Sequence, residues 1–71
     1  MAEPLLIHLG ERISKLRKKR GWTQAVMAER VGIDRSFLAD VERGKRNVSI
    51  LNLKLIALGL ETSLSRLLSG L

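Results

Sequence analysis

The chain has 71 residues, with thirteen Lys and Arg against seven Asp and Glu, a net charge of +6 and no cysteine. This length argues against a second domain or a deep substrate cleft, and the lack of thiols excludes disulfides and thiolate metal sites. The sequence is 45% hydrophobic but has only one Trp and one Phe, which predicts an aliphatic core that dimerisation helps to complete. The positive charge suits a polyanionic partner.

The first predicted helix covers residues 5–20. Apolar residues recur along it every three or four positions, which is the spacing of an amphipathic helix. A basic run from Arg17 to Arg20 suits a helix C-terminus, and Gly21 can adopt the left-handed conformation that ends the helix. This run can be a solvated face that compensates the helix dipole, or it can contact phosphates.

The next two predicted helices are short and joined by a tight turn. Thr23 is the N-cap of a helix over residues 24–30, and Asp34 is the N-cap of a helix over residues 34–43. Gly32 between them supplies a positive φ. Two helices joined by a three-residue turn form the unit that presents its second helix to the DNA major groove.

Two more helices follow a basic loop at residues 44–47. Ser49 is the N-cap of a helix over residues 49–58, and a fifth helix covers residues 63–69. The sequence contains no alternating β-branched segment and no Asn-Gly turn, so it predicts no strand. The sequence therefore predicts an all-α fold of five helices in a single domain over residues 1–71.

The segment TQAVMAERVGIDRSFLADVERGKRNVS, residues 23–49, resembles the helix-turn-helix of Cro and the phage repressors, often called the XRE-like family. Within that family, DRSFLADVERGKRN is most similar to the controller proteins of restriction-modification systems. The resemblance spans about residues 9–68. It implies a lambda-repressor-like fold and a transcriptional regulator that binds a pseudo-palindromic operator in double-stranded DNA. Phe37 stands where those controllers usually carry Tyr, so one hydroxyl is missing.

The solvent-facing side of the third helix is the predicted base-reading surface. Arg35 lies in the first turn, and its guanidinium matches the O6 and N7 acceptors of guanine. Ser36 can reach a base edge or a phosphate, and Phe37 either contacts a thymine methyl or packs in the core. Asp40 can accept from a cytosine amino group, orient Arg35 or Arg43, or repel wrong sequences.

Phosphate contacts are predicted beside that surface. The resemblance implies that Gln24, at the start of the second helix, meets a phosphate, and the helix dipole favours an anion there. Further candidates for flanking phosphates follow the third helix, which is the predicted recognition helix: Arg43, Lys45, Arg46 and Asn47. Arg46 and Asn47 can instead serve only to shape their loop.

The resemblance also implies an internal ion pair between Arg17 and Glu42. This pair would join the first helix to the recognition helix. Both residues are then structural, because removal of either partner leaves the other charge uncompensated.

The C-terminal third carries more leucine and isoleucine than one core-facing stripe requires. These residues occupy more than one face of the fourth and fifth helices, which predicts an exposed apolar patch or a partner. We expect an isologous homodimer that places two recognition helices about 34 Å apart, in successive major grooves. The predicted interface residues are Leu51, Leu55, Leu60, Leu64 and Leu67.

Catalysis has almost no support in the sequence. His8 is the one histidine, and no carboxylates are paired at acid-base or metal-ligand spacing. Glycine-rich phosphate loops are also missing. We predict no enzyme activity, no metal, no cofactor and no small-molecule ligand.

Two alternatives to a DNA regulator stay open. An antitoxin-like protein would use this fold mainly to hold a protein partner through its leucine-rich C-terminal surface, and the basic first helix is compatible with a membrane binder. However, no apolar run approaches the roughly 20 residues of a membrane span, and the first residues lack signal-peptide features. We therefore expect a cytoplasmic protein without a membrane partner, and the placement of Arg35 and Arg43 favours DNA.

Overall fold

The computed structural model describes residues 3–71 and contains five helices. They are α1 (Pro4–Lys19), α2 (Gln24–Val31), α3 (Arg35–Glu42), α4 (Ile50–Gly59) and α5 (Leu64–Leu68). The prediction of five helices is confirmed, with each end displaced by at most one residue, and the described residues form no strand. None of these helices combines the length and apolarity needed to cross a membrane.

Side-chain caps set where the last four helices begin. Thr23, Asp34, Ser49 and Ser63 each have an extended backbone and accept a hydrogen bond from an amide of the following first turn. Such a cap satisfies one of the backbone donors that a helix N-terminus leaves unpaired. Gly32 has a φ of 81° and ends α2 in the left-handed conformation, so the tight turn before α3 forms as predicted.

The hydrophobic core draws at least one fully buried side chain from every helix. Its largest buried members are Ile13, Met27, Leu38, Val41, Ile56 and Leu67. Trp22 and Phe37 pack at the edge of this aliphatic core without being fully buried. Because each short helix buries its apolar face only against the others, α2 and α3 depend on tertiary packing for their stability.

Two of the predicted dimer-interface residues belong to this core. Leu60 exposes 4% of its surface and Leu67 exposes 0%, so the prediction that they contact a second copy is wrong. The reason is that α5 folds back against α1 and α4, which covers these leucines within one chain. Leu64 is half-buried against the core, whereas Leu51 and Leu55 are exposed.

Gly10 allows α1 to approach α3 at backbone distance. An ideal Cβ at this position would lie 2.4 Å from the carbonyl oxygen of Val41 and 2.5 Å from that of Glu42. Both atoms belong to the last turn of α3, where no flexible side chain can move aside. This close contact sets the distance between α3 and α1.

Gly10→Ala should therefore destabilise the fold by about 1 to 3 kcal/mol, although alanine has the higher helix propensity. Chemical denaturation followed by circular dichroism measures the change. Ser14→Ala, one turn later on α1, is the matched control and should change stability by less than about 0.5 kcal/mol. Equal unfolding midpoints for the Gly10 variant and the unmodified chain would contradict the role given to this contact.

Candidate nucleic-acid interface

The α2–turn–α3 unit leaves one side of α3 in solvent. Leu38 and Val41 point into the core, and the helical period places Arg35, Ser36 and Arg43 on exposed positions. The described structure thus presents a short helix whose apolar stripe anchors it and whose polar side is accessible.

Arg35 opens the exposed side of α3. It is the first residue of the helix and is exposed. None of the four ion pairs that form among residues 3–71 includes it. A cation at a helix N-terminus opposes the helix dipole. The guanidinium of Arg35 is therefore available to an acceptor outside the chain.

Asp34 holds the start of α3 through three hydrogen bonds to one carboxylate oxygen. The Ser36 hydroxyl donates to Oδ2, and the amides of Ser36 and Phe37 donate to the same atom at 3.0 and 3.3 Å. The Ser36 hydroxyl contributes most, and together these bonds lower the pKa of Asp34 below its ordinary value of 3.8. The Ser36 hydroxyl is therefore engaged as a donor by its own N-cap. It must leave Asp34 to donate to a base or a phosphate, whereas its oxygen can still accept from a base amino group.

Phe37 lies between the core and the surface. Its ring is half-buried against the core, and the guanidinium carbon of Arg46 stands 5.3 Å from the ring centroid. This distance is within the range of a cation-π contact. One part of the Phe37 ring thus packs against the core, as one of the two predicted alternatives requires, and Arg46 covers another part.

Asp40 is paired with the two arginines that follow it. Its Oδ1 atom lies 2.7 Å from Nη2 of Arg43, and its Oδ2 atom lies 3.8 Å from Nη2 of Arg46. Asp40 thus pairs with Arg43, one of the two predicted arginines, and with Arg46, which was not predicted, whereas no ion pair in the described structure joins it to Arg35. Lys45 and Asn47 lie in the same loop and are exposed.

Arg17 and Glu42 form a two-pronged ion pair between α1 and α3. Nε and Nη2 of Arg17 donate to the two carboxylate oxygens of Glu42 at 2.8 and 3.0 Å, and Nη1 donates to the carbonyl oxygen of Trp22 at 2.8 Å. The two side chains expose only 10% and 5% of their surface. The pair therefore joins α1, α3 and the loop before α2.

Gln24 extends this network into α2, a contact that sequence reasoning missed. Its Nε2 atom donates to Oε1 of Glu42 at 3.0 Å, so the side chain is anchored inward and is half-buried. An amide nitrogen carries two hydrogens. The second hydrogen and the backbone amides of Gln24 and Ala25 are the groups left to meet a phosphate, because Thr23 already accepts from the amide of Val26.

Trp22 organises a second basic cluster that the sequence analysis did not identify. The guanidinium carbons of Arg20 and Arg30 lie 5.1 and 4.9 Å from its ring centroid, and Arg20 also pairs with Glu61 at 2.8 Å. The sequence signal was a lone Trp directly after a basic run. In this cluster, Trp22 lies in the loop before α2, and the two arginines that contact its ring are exposed.

Glu42→Ala should lower the stability of the chain by about 3 to 5 kcal/mol, because it leaves the Arg17 guanidinium buried without its partner. The measurement is thermal or chemical unfolding of the purified variant. Glu61→Gln removes the exposed pair with Arg20 and provides the control, with an expected loss of less than about 1 kcal/mol. A Glu42 variant that melts with the unmodified chain would show that the pair is not structural.

The described residues contain no group of three or more His, Cys, Asp or Glu side chains that could hold a metal ion. The exposed second helix of the α2–turn–α3 unit defines a helix-turn-helix protein. The chain belongs to the helix-turn-helix family, whose profile matches residues 13–67.

Controller proteins of restriction-modification systems are among its similar relatives. The control protein C.MunI of a Mycoplasma species is 41% identical over 66 residues, which cover 92% of this chain and 89% of that protein. The crystal structure of the controller C.AhdI from Aeromonas hydrophila matches with a TM-score of 0.85 and 39% identity, over 87% of this chain and 94% of that one.

A third match is a protein–DNA complex. The C.Esp1396I controller, solved as a tetramer with its natural 35 base-pair operator, has a TM-score of 0.81 and 33% identity, over 93% of this chain and 96% of that one. These matches confirm the resemblance to controller proteins of the XRE-like family.

Proposed function

We propose that the chain is a sequence-specific transcriptional regulator that binds a pseudo-palindromic DNA operator as a homodimer, as a controller protein of a restriction-modification system. The observation that carries this proposal is the accessible side of α3, which Arg35 opens and which faces away from the core. The role is binding, with no catalytic step. Because the partner is cellular DNA, the proposed place of action is the cytoplasm.

Base recognition is assigned to the first turns of α3. Arg35 would donate two hydrogen bonds to a guanine, a contact worth about 1 to 3 kcal/mol of discrimination against other bases. Ser36 would accept from a base amino group, or exchange its bond to Asp34 to donate to a base edge or a phosphate. The exposed part of the Phe37 ring would meet a thymine methyl.

Phosphate binding is assigned to groups on both sides of α3. On one side stand the exposed residues after the helix, namely Arg43, Lys45, Arg46 and Asn47. On the other stands the N-terminus of α2 with Gln24, where backbone amides and the helix dipole favour an anion. Several such contacts, added to a net charge of +6, predict an affinity that falls steeply with salt.

The dimer interface is assigned to α4. Leu51, Leu55 and Leu58 recur at four- and three-residue steps and expose 71%, 44% and 63% of their surface, and Ile50 exposes 64%. Leu51 and Leu55 keep their predicted place in the interface, and Ile50 and Leu58 take the place of the buried Leu60 and Leu67. Lys54 lies on the same side of α4 and is exposed, and its long side chain can keep the ammonium group at the rim.

An antitoxin-like interaction protein is the second candidate, because the same apolar surface of α4 can receive a different chain. A membrane-binding role for α1 has less support. Leu9 and Ile13, from its apolar stripe, lie in the core, so they cannot insert into a lipid surface while the chain is folded.

Arg35→Ala and Lys45→Ala separate base reading from phosphate binding. We expect the Arg35 variant to lose its preference for the operator and keep weak binding to any duplex, because only the base contact is removed. The Lys45 variant should bind all duplexes more weakly by a similar factor. Fluorescence anisotropy with an operator selected from a random DNA pool and with a scrambled duplex measures both effects. Unchanged preference in the Arg35 variant would contradict the assignment.

Leu51→Glu should convert the dimer to a monomer, because it places a carboxylate in the centre of the proposed apolar contact. Sedimentation velocity at high micromolar concentration measures the oligomeric state. Leu5→Glu makes the same change at an exposed leucine of α1 and should leave the dimer intact. Sedimentation of the unmodified chain as a monomer would refute the homodimer.

A further inference from the structure

One carboxylate lies among the proposed phosphate-binding arginines. Asp40 contacts Arg43 through one oxygen, at 2.7 Å, and faces Arg46 through the other, at 3.8 Å. The Asp40 side chain exposes 32% of its surface, whereas the two arginines expose 59% and 54%. The cationic groups are therefore accessible from solvent while both are turned toward the same internal anion.

Arg46 is held from a second direction. Its guanidinium carbon lies 5.3 Å from the centroid of the Phe37 ring, so a ring on α3 and a carboxylate on α3 together fix a side chain from the following loop. No ion pair among residues 3–71 includes the other two candidate DNA-contacting cations, Arg35 and Lys45. The internal anion thus acts on two of the four cations at or beside the recognition surface.

A carboxylate and a phosphate compete for the same guanidinium donors. Both are oxyanions that accept charge-assisted hydrogen bonds from Arg. An arginine engaged by Asp40 must leave it, or share it with a phosphate that the carboxylate repels, before it can contact the DNA backbone. Either route costs free energy in each DNA complex that recruits these two arginines to phosphates.

We propose that Asp40 serves as an internal substitute for the DNA phosphate and raises the specificity of the protein by weakening its binding to non-operator DNA. The proposal rests on the function proposed above. Non-specific complexes depend almost wholly on phosphate contacts, so the cost that Asp40 imposes weakens them most. A cost equal for all duplexes would leave the preference unchanged. The operator complex bears less of it, because base contacts hold α3 in place even while the two arginines keep their pairing with Asp40.

Asp40→Asn is the first test, because it keeps the shape of the side chain and removes its charge. The dissociation constant for a scrambled duplex should fall about tenfold, which is the scale expected when two arginines are released to phosphates. For an operator that the unmodified protein selects from a random pool, the change should be less than about threefold, because its base contacts make that complex depend less on the two arginines. Fluorescence anisotropy at fixed salt measures both constants.

Two controls separate the proposed effect of Asp40 on Arg43 and Arg46 from a general effect of net charge. Glu29→Gln makes the same change of net charge on an exposed residue of α2 that no ion pair includes, and it should shift both constants by an equal, small factor. Adding Arg43→Ala to Asp40→Asn should abolish most of the gain on the scrambled duplex. A structural role for Asp40 alone would not produce that dependence on Arg43.

The outcomes are distinct. The proposal is overturned if the Asp40→Asn variant binds the scrambled duplex no more tightly than the unmodified chain, or if it gains equally on both duplexes. A large loss of operator affinity in that variant also overturns it, since Asp40 would then be a base-reading residue. If the unmodified protein binds no duplex at low salt, the proposed function itself fails, and the role of Asp40 fails with it.

Discussion

The arrangement of the molecule depends on the buried ion pair between Arg17 and Glu42. Burial of two charges is costly, and their attraction compensates for it only when the remaining donors and acceptors are also satisfied. Here Trp22 and Gln24 supply those further hydrogen bonds, and no buried side-chain nitrogen or oxygen in the described part of the chain lacks a partner. One network therefore fixes the relative positions of three helices.

This constraint gives the recognition helix two anchored ends. Asp34 holds the N-terminus of α3 through three hydrogen bonds. Glu42, the last residue of α3, holds the other end against α1. The core fixes its inner side through Leu38 and Val41. Held in this way, α3 would lose little conformational freedom on binding the proposed DNA partner, which favours affinity and specificity together.

Two acidic residues of α3 illustrate how position on a helix separates stability from recognition. Glu42 and Asp40 are two residues apart and therefore lie on different sides of the helix. Glu42 is turned toward Arg17 in the interior, and Asp40 is turned toward Arg43 and Arg46 at the surface. The first contact holds the fold together. The second keeps Arg43 and Arg46, which the proposed DNA partner would meet, paired with a carboxylate.

The amino-acid sequence by itself determined the five helices, the N-caps Thr23, Asp34 and Ser49, and the tight turn, because these signals act between residues that are close in the chain. The pairing of Arg17 with Glu42 came from family resemblance. Only the tertiary structure decided that Gln24 turns toward Glu42, that Gly10 receives the backbone of α3, and that Leu60 and Leu67 are core residues. Each of these depends on which helices meet and at what distance, and a periodic pattern of leucines is the same whether the chain or a partner covers it.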